Sequence, residues 1–283
     1  NKNKIKKLLK KVVDFLNEKW YYNIVRGRKT PQQIKINYSG RSDIMKNTKV
    51  DRRKKYIMVV DVETAGNFAS PQVYDFGFAV CDKKGNIYEK RSFVISEVFD
   101  NTKLMETAYY AKKIPQYIKG LETGEFVKVG MLEARAEFLK LMEKYDIKTI
   151  SAYNLMFDMK ALKSTFQTLG YGKKFLPSET RYTKDNIDLL CIWSFACEVL
   201  FTQKTYSKVA IENGWMTKAG NMLTNAECAY RYITKDYTFE EQHTGLADVE
   251  IECQILAKCI AQKQKHESGI IAHPWRIPNK KNK

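Results

Sequence analysis

Hydrophobic and polar positions follow two different periods along this chain, and each period predicts a different kind of element. Short runs of β-branched and aromatic residues predict buried strands over 56–60, 73–80, 87–95 and 149–153. Apolar residues spaced three and four apart predict helices over 103–113, 131–145, 156–169, 189–201, 224–233 and 246–264. Gly85 and Asn86 predict a hairpin turn between the second and third strands. A meander followed by alternating strands and helices predicts an α/β fold, a mixed sheet flanked by helices.

The two ends of the chain differ from its middle. Apolar residues within 5–20 recur at helical spacing and predict an amphipathic helix, whereas 26–55 is polar and basic and predicts a linker able to touch a phosphate backbone. We expect this helix to pack on the main domain; a partner-binding or membrane-surface helix is the alternative. The predicted domains are 1–55, 56–265 and a basic tail over 266–283, in which we expect the stretch from Pro274 to Lys283 to be loose.

The charge balance indicates the class of partner. Lys and Arg outnumber Asp and Glu by 49 to 32, which gives a formal net charge of +17. Such an excess favours polyanions, nucleic acid ahead of a membrane surface, although solubility alone also explains it. No apolar run reaches the ~20 residues of a transmembrane helix, and charged residues interrupt the N-terminal apolar stretch. We therefore expect a cytoplasmic protein with no membrane partner.

The number and spacing of cysteines and histidines limit the kinds of metal site that this chain can form. The chain has six cysteines and three histidines. No pair of cysteines has the C-x-x-C spacing, so a structural zinc site is not expected. Most of the cysteines lie within apolar helical pattern, and we interpret them as small buried hydrophobic residues in a reducing compartment.

Carboxylates in three places interrupt otherwise apolar pattern. Asp61 and Glu63 directly follow the first strand, and their spacing puts both on one side of an extended chain. Two like charges held together at a strand end invite a divalent cation. Asp158 follows the 149–153 strand and opens a helix, and His243 precedes the helical Asp248 by five residues. Singly, each has an ordinary explanation, such as a carboxylate stabilised by a helix N-terminus.

In series, the three motifs resemble those of the DnaQ-like (DEDDh) 3′→5′ exonucleases of the RNase H-like superfamily. The first motif, Asp-x-Glu-Thr, is present at 61–64, the second, Asn-x-x-Phe-Asp, at 154–158, and the third, His-x-x-x-x-Asp, at 243–248. The resemblance covers about 56–262. The third motif has a His five residues before its Asp, and in this respect the chain resembles the His-containing branch of the family. Many relatives have Thr-Gly where this chain has Ala65-Gly66 after the first motif, and the loop that follows is longer and is expected to border the substrate groove.

The resemblance implies an RNase H-like sheet and a set of roles for the site residues. Asp61, Glu63, Asp158 and Asp248 would hold two Mg²⁺ ions, with Mn²⁺ as a substitute, and His243 would be the general base. By the same resemblance, Thr64 holds the terminal nucleotide and Asn154 lies near the scissile phosphate. Asp188 also has a counterpart in the family, but we interpret it as structural.

The expected activity is 3′→5′ exonuclease cleavage at nucleic-acid 3′ ends, of single-stranded DNA in the first instance. Trimming of RNA 3′ ends, RNase H-like endonuclease cleavage, and a non-catalytic nucleic-acid-binding subunit are the alternatives. Because no polymerase domain accompanies the motifs, proofreading would require a polymerase or another replication or repair protein as a partner.

Overall fold

Six strands form a single sheet. They are β1 (Tyr56–Ala65), β2 (Gln72–Asp82), β3 (Ile87–Ile95), β4 (Lys128–Val129), β5 (Thr149–Ala152) and β6 (Asp188–Cys191). Their order across the sheet is β4-β3-β2-β1-β5-β6. β2 is antiparallel to both β1 and β3, whereas β1 with β5, β5 with β6, and β3 with β4 are parallel. This mixed sheet, flanked by helices, confirms the predicted α/β fold.

The computed structural model describes residues 50–176, 187–264 and 270–281. The helix predicted over 5–20 and the linker as far as residue 49 lie outside the described residues. The helices are α1 (Ser96–Phe99), α2 (Thr102–Met105), α3 (Ile114–Thr123), α4 (Met131–Lys144), α5 (Leu155–Thr168), α6 (Ile192–Val199), α7 (Lys204–Glu212), α8 (Ala226–Thr234), α9 (Gly245–Ala261) and α10 (Arg276–Lys281), with a 3₁₀ turn at Ala111–Lys113.

β1 separates two apolar cores, and its side chains alternate between them because successive strand residues point to opposite faces. Met58 and Val60 belong to the core that includes buried residues of α4 and α5. Ile57 and Val59 belong to the core that includes buried residues of α6, α8 and α9. The same alternation directs residues 61 and 63 toward the face of the sheet that α9 covers.

Two glycines allow α9 to approach the sheet closely beside Asp61. Gly77 of β2 is the register partner of Asp61. A Cβ atom on Gly77 would lie 2.0 Å from the carbonyl oxygen of Gly245, the first residue of α9. Asp75 then fixes the start of the helix, since its buried carboxylate accepts hydrogen bonds from Gly245 N (2.9 Å), Ser92 Oγ (2.6 Å) and Tyr117 Oη (2.5 Å). The start of α9 is therefore held against the middle of the sheet.

Several sequence predictions are confirmed within a few residues. The predicted strands match β1, β2, β3 and β5, and the helices predicted over 131–145, 156–169, 224–233 and 246–264 match α4, α5, α8 and α9. Gly85 turns between β2 and β3 with φ +80°, and all six cysteines are buried and free. Among the helices that the structure describes, none has both the length and the apolar character needed to cross a membrane.

Three predicted elements are wrong. The single helix over 103–113 is replaced by α2, the 3₁₀ turn and α3, which has Pro115 in its first turn, where proline is well tolerated. The helix over 189–201 begins only at Ile192, because Asp188–Cys191 pairs with β5 as a parallel strand. The tail is not loose over Arg276–Lys281: this segment forms α10, and the Asn279 side chain accepts a hydrogen bond from Met222 N (2.8 Å).

Candidate active site

A cavity of about 490 Å³ opens between the second half of β1, the start of α5 and the start of α9. Its walls include every residue that the sequence predicted for the site: Asp61, Glu63, Thr64, Asn154, Asp158, His243 and Asp248. These residues come from three separate parts of the chain. The fold therefore brings the three predicted motifs to one place.

The acids of the first two motifs are held by β1 and α5. Asp61 and Glu63 lie on the same face of β1, and the pairing with β2 shifts register directly after Glu63. Asp158 is buried in the first turn of α5, where the positive end of the helix dipole favours a carboxylate. The backbone N–H of Val62 also donates a hydrogen bond to Asp158. This contact ties the second motif to the first.

The third motif sits at the start of α9. His243 adopts a left-handed backbone with φ +51°, and its backbone N–H donates to the carboxylate of Asp248 in the first turn of the helix. One ligand atom each from Glu63, His243 and Asp248 lie within 4.8 Å of one another. The last motif therefore faces Glu63 of β1 at a distance that one metal ion can bridge.

The carboxylates of the cavity are held at an electrostatic cost. Burial, and then the charges of its neighbours, led by Glu252, raise the pKa of Asp61 well above its usual value. Burial followed by the charge of Asp248 does the same to the pKa of Glu63. Burial also raises the pKa of Asp158 to about 7 and that of Asp248 to about 8. Without a counter-charge, the cavity favours protonated acids.

The donor set fits a hard divalent cation. Asp61 Oδ2 and Asp248 Oδ1 are fully buried, and no hydrogen-bond donor among the described residues reaches either atom. Buried carboxylate oxygens without partners are costly, and a cation removes that cost. Carboxylate oxygens are also the ligands that Mg²⁺ and Mn²⁺ prefer. Asp61, Glu63, Asp158 and Asp248 would hold such ions.

His243 lies at the edge of this acidic cavity with its ring in a fixed orientation. The imidazole stacks on Tyr110 at a centroid distance of 4.2 Å and an interplanar angle of 14°. Its Nδ1 lies 3.9 Å from Glu241 Oε2. Burial, and then the charge of Lys113, lower the pKa of His243; the Lys113 ammonium is held nearby by a hydrogen bond to the carbonyl of Gln242 (2.8 Å). A neutral imidazole is therefore favoured near pH 7, as a general base requires.

The remaining predicted residues occupy less buried positions. Thr64 is half-buried at the end of β1, where its carbonyl accepts a hydrogen bond from Tyr109 N (3.3 Å). Asn154 is exposed directly before α5, and its carbonyl accepts from Phe157 N (2.8 Å). Asp188 opens β6 with an exposed side chain and is not part of the cavity wall.

Aromatic side chains flank the acids. Phe68, from the loop after β1, stacks on Phe157 of α5 at 6.0 Å, and the Lys160 ammonium lies 4.5 Å from the Phe68 ring centre. Tyr109 and Tyr110 also line the cavity. Phe68 is 78% exposed and Tyr109 83% exposed, so both side chains are largely open to solvent. The long loop after the first motif thus borders the cavity, as the sequence predicted.

Two acids of the cavity were missed by the sequence prediction. Glu252 lies one helical turn after Asp248 on α9, and Glu241 lies two residues before His243. Burial, and then the charge of Glu227, raise the pKa of Glu241 to about 7. The sequence does contain a signal for Glu252, because this acid interrupts the apolar stripe of α9. No comparable pattern marks Glu241.

Comparisons with known proteins show similarity at the level of structure only. No family model matches this sequence, and no curated protein matches it. A zinc-bound complex of E. coli exonuclease I with single-stranded DNA aligns with a TM-score of 0.45 and 16% identity, over 75% of this chain and 41% of that chain. A complex of the same protein with a dT13 oligonucleotide gives 0.46 and 15%, over 74% and 42%. Exonuclease I without ligand gives 0.45 and 16%, over 80% and 44%. This chain therefore spans less than half the length of the exonuclease I structures that it matches.

Proposed function

We propose that this protein is a divalent-metal-dependent 3′→5′ exonuclease that removes nucleotides one at a time from the 3′ end of single-stranded DNA. One observation carries the proposal: Asp61, Glu63, Asp158, Asp248 and His243, from three separate motifs, line a single cavity. Three carboxylate oxygens there, one each from Asp61, Asp248 and Glu252, lack hydrogen-bond partners among the described residues. Mg²⁺ is the proposed cation and Mn²⁺ its substitute. A polymerase or repair partner and a cytoplasmic location stay predictions.

In this proposal, the residues of the cavity have different roles. The four acids hold the cations, which when bound supply an activated water and neutralise charge on the phosphate. His243 accepts the proton of the attacking water, because its lowered pKa keeps the ring neutral and its stacking on Tyr110 fixes the ring plane. His243 is also about a quarter exposed, with 28% of its side-chain surface accessible, so the proton can leave to solvent. Thr64 and Asn154 position the terminal nucleotide.

The flanking aromatic rings favour a single strand over a duplex. Phe68 and Tyr109 are largely exposed side chains that line the cavity beside the acids. Stacking of an unpaired base on an aromatic side chain is worth about 1–3 kcal/mol, and it requires a base whose face is free. Lys160 adds a positive charge next to Phe68, suited to a phosphate. A terminal nucleotide of a single strand satisfies all three features.

The test is digestion of end-labelled oligonucleotides by the wild-type protein and two variants. Asp61→Asn removes a cavity acid, whereas Glu250→Gln removes an exposed acid of α9 whose carboxylate pairs with Lys90 (2.6 Å). We expect a ladder that shortens from the 3′ end with Mg²⁺ or Mn²⁺, none in excess EDTA, loss of the ladder in Asp61→Asn, and wild-type behaviour in Glu250→Gln.

Three other outcomes would each replace the proposal by a named alternative. Internal cuts would favour an RNase H-like endonuclease. A shifted but intact band in the presence of metal would favour a non-catalytic binding subunit. Faster digestion of RNA than of a DNA strand of the same sequence would favour trimming of RNA 3′ ends.

A further inference from the structure

Glu252 is a fifth acid in the wall of the proposed metal cavity, outside the four-acid set. It lies on α9 one turn after Asp248, and only 3% of its surface is exposed. It lines the same cavity as Asp61, Asp158 and Asp248. Its carboxylate is therefore directed from the helix into the acidic cavity, with the apolar core of α9 behind it.

The hydrogen bonding of Glu252 is incomplete. The backbone N–H of Tyr153 donates to its carboxylate. Glu252 Oε2 is buried and has no hydrogen-bond partner among the residues that the structure describes. An ionised carboxylate with an unpaired buried oxygen is costly unless a cation compensates it.

Asp75 shows how this fold treats a buried acid that has a structural role. It is fully buried, and it accepts hydrogen bonds from Ser92 Oγ, Tyr117 Oη and Gly245 N. Its two oxygens are thus both satisfied by the protein itself. Glu252 is almost as deeply buried and lines the cavity, yet one of its oxygens has no donor among the described residues. The contrast indicates that the missing partner of Glu252 is a ligand.

We propose that Glu252 is a fifth carboxylate ligand of the divalent-cation site, which it strengthens by adding charge and a further hard oxygen. This inference rests on the proposed function, since it uses the same cation. Affinity for a hard divalent cation rises with the number of charged oxygen ligands. The fifth acid therefore allows the protein to hold its cation before nucleic acid arrives, when no phosphate oxygen is available to complete the coordination.

The test is direct metal binding by the full-length protein without nucleic acid. Calorimetric titration with Mn²⁺, and separately with Mg²⁺, is performed on wild type, Glu252→Gln and Glu250→Gln. Glu250→Gln is the matched control, because it removes the same charge from the same helix at an exposed position that pairs with Lys90. We expect Glu252→Gln to weaken Mn²⁺ binding by at least about 10–100-fold, the range found when a group that only supports a metal ligand is lost, and Glu250→Gln to leave it unchanged.

Melting temperatures provide a second readout. In EDTA, Glu252→Gln should melt at or above the wild-type temperature, since a glutamine needs neither a proton nor a cation to be neutral at this buried position. Saturating Mn²⁺ should then raise its melting temperature less than it raises that of wild type. If the glutamine variant does not fold, Glu252→Asp retains the charge on a shorter side chain, and it should still bind Mn²⁺ more weakly than wild type.

Wild-type Mn²⁺ affinity in Glu252→Gln, or in Glu252→Asp where the glutamine variant does not fold, would overturn the proposal. Asp61→Asn separates this failure from failure of the proposed function. If Asp61→Asn loses Mn²⁺ binding while the Glu252 variant does not, the cation site stands and only the fifth ligand is wrong. If neither variant changes Mn²⁺ binding, the cavity does not hold the cation at all.

Discussion

At the scale of single residues, His243 is compatible with two roles that experiments can distinguish. Its ring is stacked on Tyr110, its pKa is lowered by burial and by Lys113, and its surroundings keep it partly open to solvent. A ligand atom of the ring also lies within 4.8 Å of ligand atoms of Glu63 and Asp248. The geometry therefore allows a general base or a metal ligand, and the two roles predict different variants.

Replacing His243 by Ala should leave Mn²⁺ affinity near the wild-type value and reduce the cleavage rate by about 10²–10⁴-fold, the usual contribution of a general base. The measurements are single-turnover rates on an end-labelled strand and calorimetric Mn²⁺ titration of the same preparation. Asp158→Asn is the comparison, because it should weaken Mn²⁺ binding itself. Loss of Mn²⁺ binding in His243→Ala would make the imidazole a metal ligand.

At the scale of elements, the position of α9 depends on the lack of a side chain at Gly77 of β2. A Cβ atom on Gly77 would meet the carbonyl carbon and oxygen of Gly245 at 2.2 and 2.0 Å, and both of these atoms belong to backbone. Gly77→Ala must therefore displace the start of α9, which carries Asp248. We expect it to lower stability by about 1–3 kcal/mol, the usual cost of overpacking, and to weaken Mn²⁺ binding as well.

Thermal melting and Mn²⁺ titration of Gly77→Ala check this prediction against Gly130→Ala. Gly130 has an ordinary backbone with φ −72°, and a Cβ atom there would meet only the flexible carboxylate end of Glu97, at 3.3 Å. The control should keep wild-type Mn²⁺ affinity and lose far less stability. If Gly77→Ala matches the control in both measurements, close approach of α9 to the sheet does not govern the site.

The elements also show how far sequence pattern determines this structure. Two-residue periodicity was enough to put Asp61 and Glu63 on one face of β1, and the three motifs identified every residue of the predicted site. The strand Asp188–Cys191 was missed because four residues directly before a helix, three of them apolar, are too few to show a period of their own, and pairing with β5 decides their structure. Glu252 was missed because spacing along a helix does not reveal whether a buried acid has a partner.

At the scale of the whole molecule, the buried acids should make the metal-free protein less stable as pH rises. Burial raises the pKa of Asp158 to about 7 and that of Asp248 to about 8, from an ordinary value of 3.8. Below pH 3.8 both the folded and the unfolded states are protonated. Between about pH 4 and pH 8 the folded state retains protons that the unfolded chain has released, so the free energy of unfolding falls with rising pH.

We therefore expect the melting temperature in EDTA to fall between about pH 5.5 and about pH 8, and saturating Mg²⁺ to reverse much of the fall at the higher pH. Each kcal/mol corresponds to about 2–4 °C for a domain of this size. Asp158→Asn should show a smaller fall, because it lacks one of the raised pKa values. A melting temperature in EDTA that rises across this pH window would contradict the electrostatic description of the cavity.

The charge of the molecule is distributed unevenly between its ends and its centre. Residues 1–55 contain 18 of the 49 Lys and Arg residues and 4 of the 32 Asp and Glu residues, so they contribute +14 of the net charge of +17. The segment that follows contains the acidic cavity and is close to neutral. Attraction to a phosphate backbone should therefore come mainly from residues 1–55, whereas chemistry belongs to the remainder.

Substituting Lys6, Lys7, Lys10 and Lys11 by Gln should weaken binding of a single strand most at low salt and flatten the dependence of log affinity on log salt. Each phosphate that is no longer neutralised by a lysine reduces that slope by about 0.7 for single-stranded nucleic acid. Fluorescence anisotropy across a salt series measures the slope. The control carries four Gln substitutions at exposed lysines that do not line the cavity, Lys204, Lys208, Lys218 and Lys258, and it should keep a steeper slope.

Glutamine substitution leaves the apolar residues of 5–20 in place, so it separates the charge of this segment from its packing. A chain that starts near Lys54 removes both. If the predicted helix packs on the main domain, the shortened chain should melt at a clearly lower temperature, while the glutamine variant melts like wild type. If residues 1–55 act only as a basic arm, both variants should show the flatter slope at an unchanged melting temperature and an unchanged rate at saturating substrate. A salt slope that neither variant alters would contradict the assignment of phosphate binding to this segment.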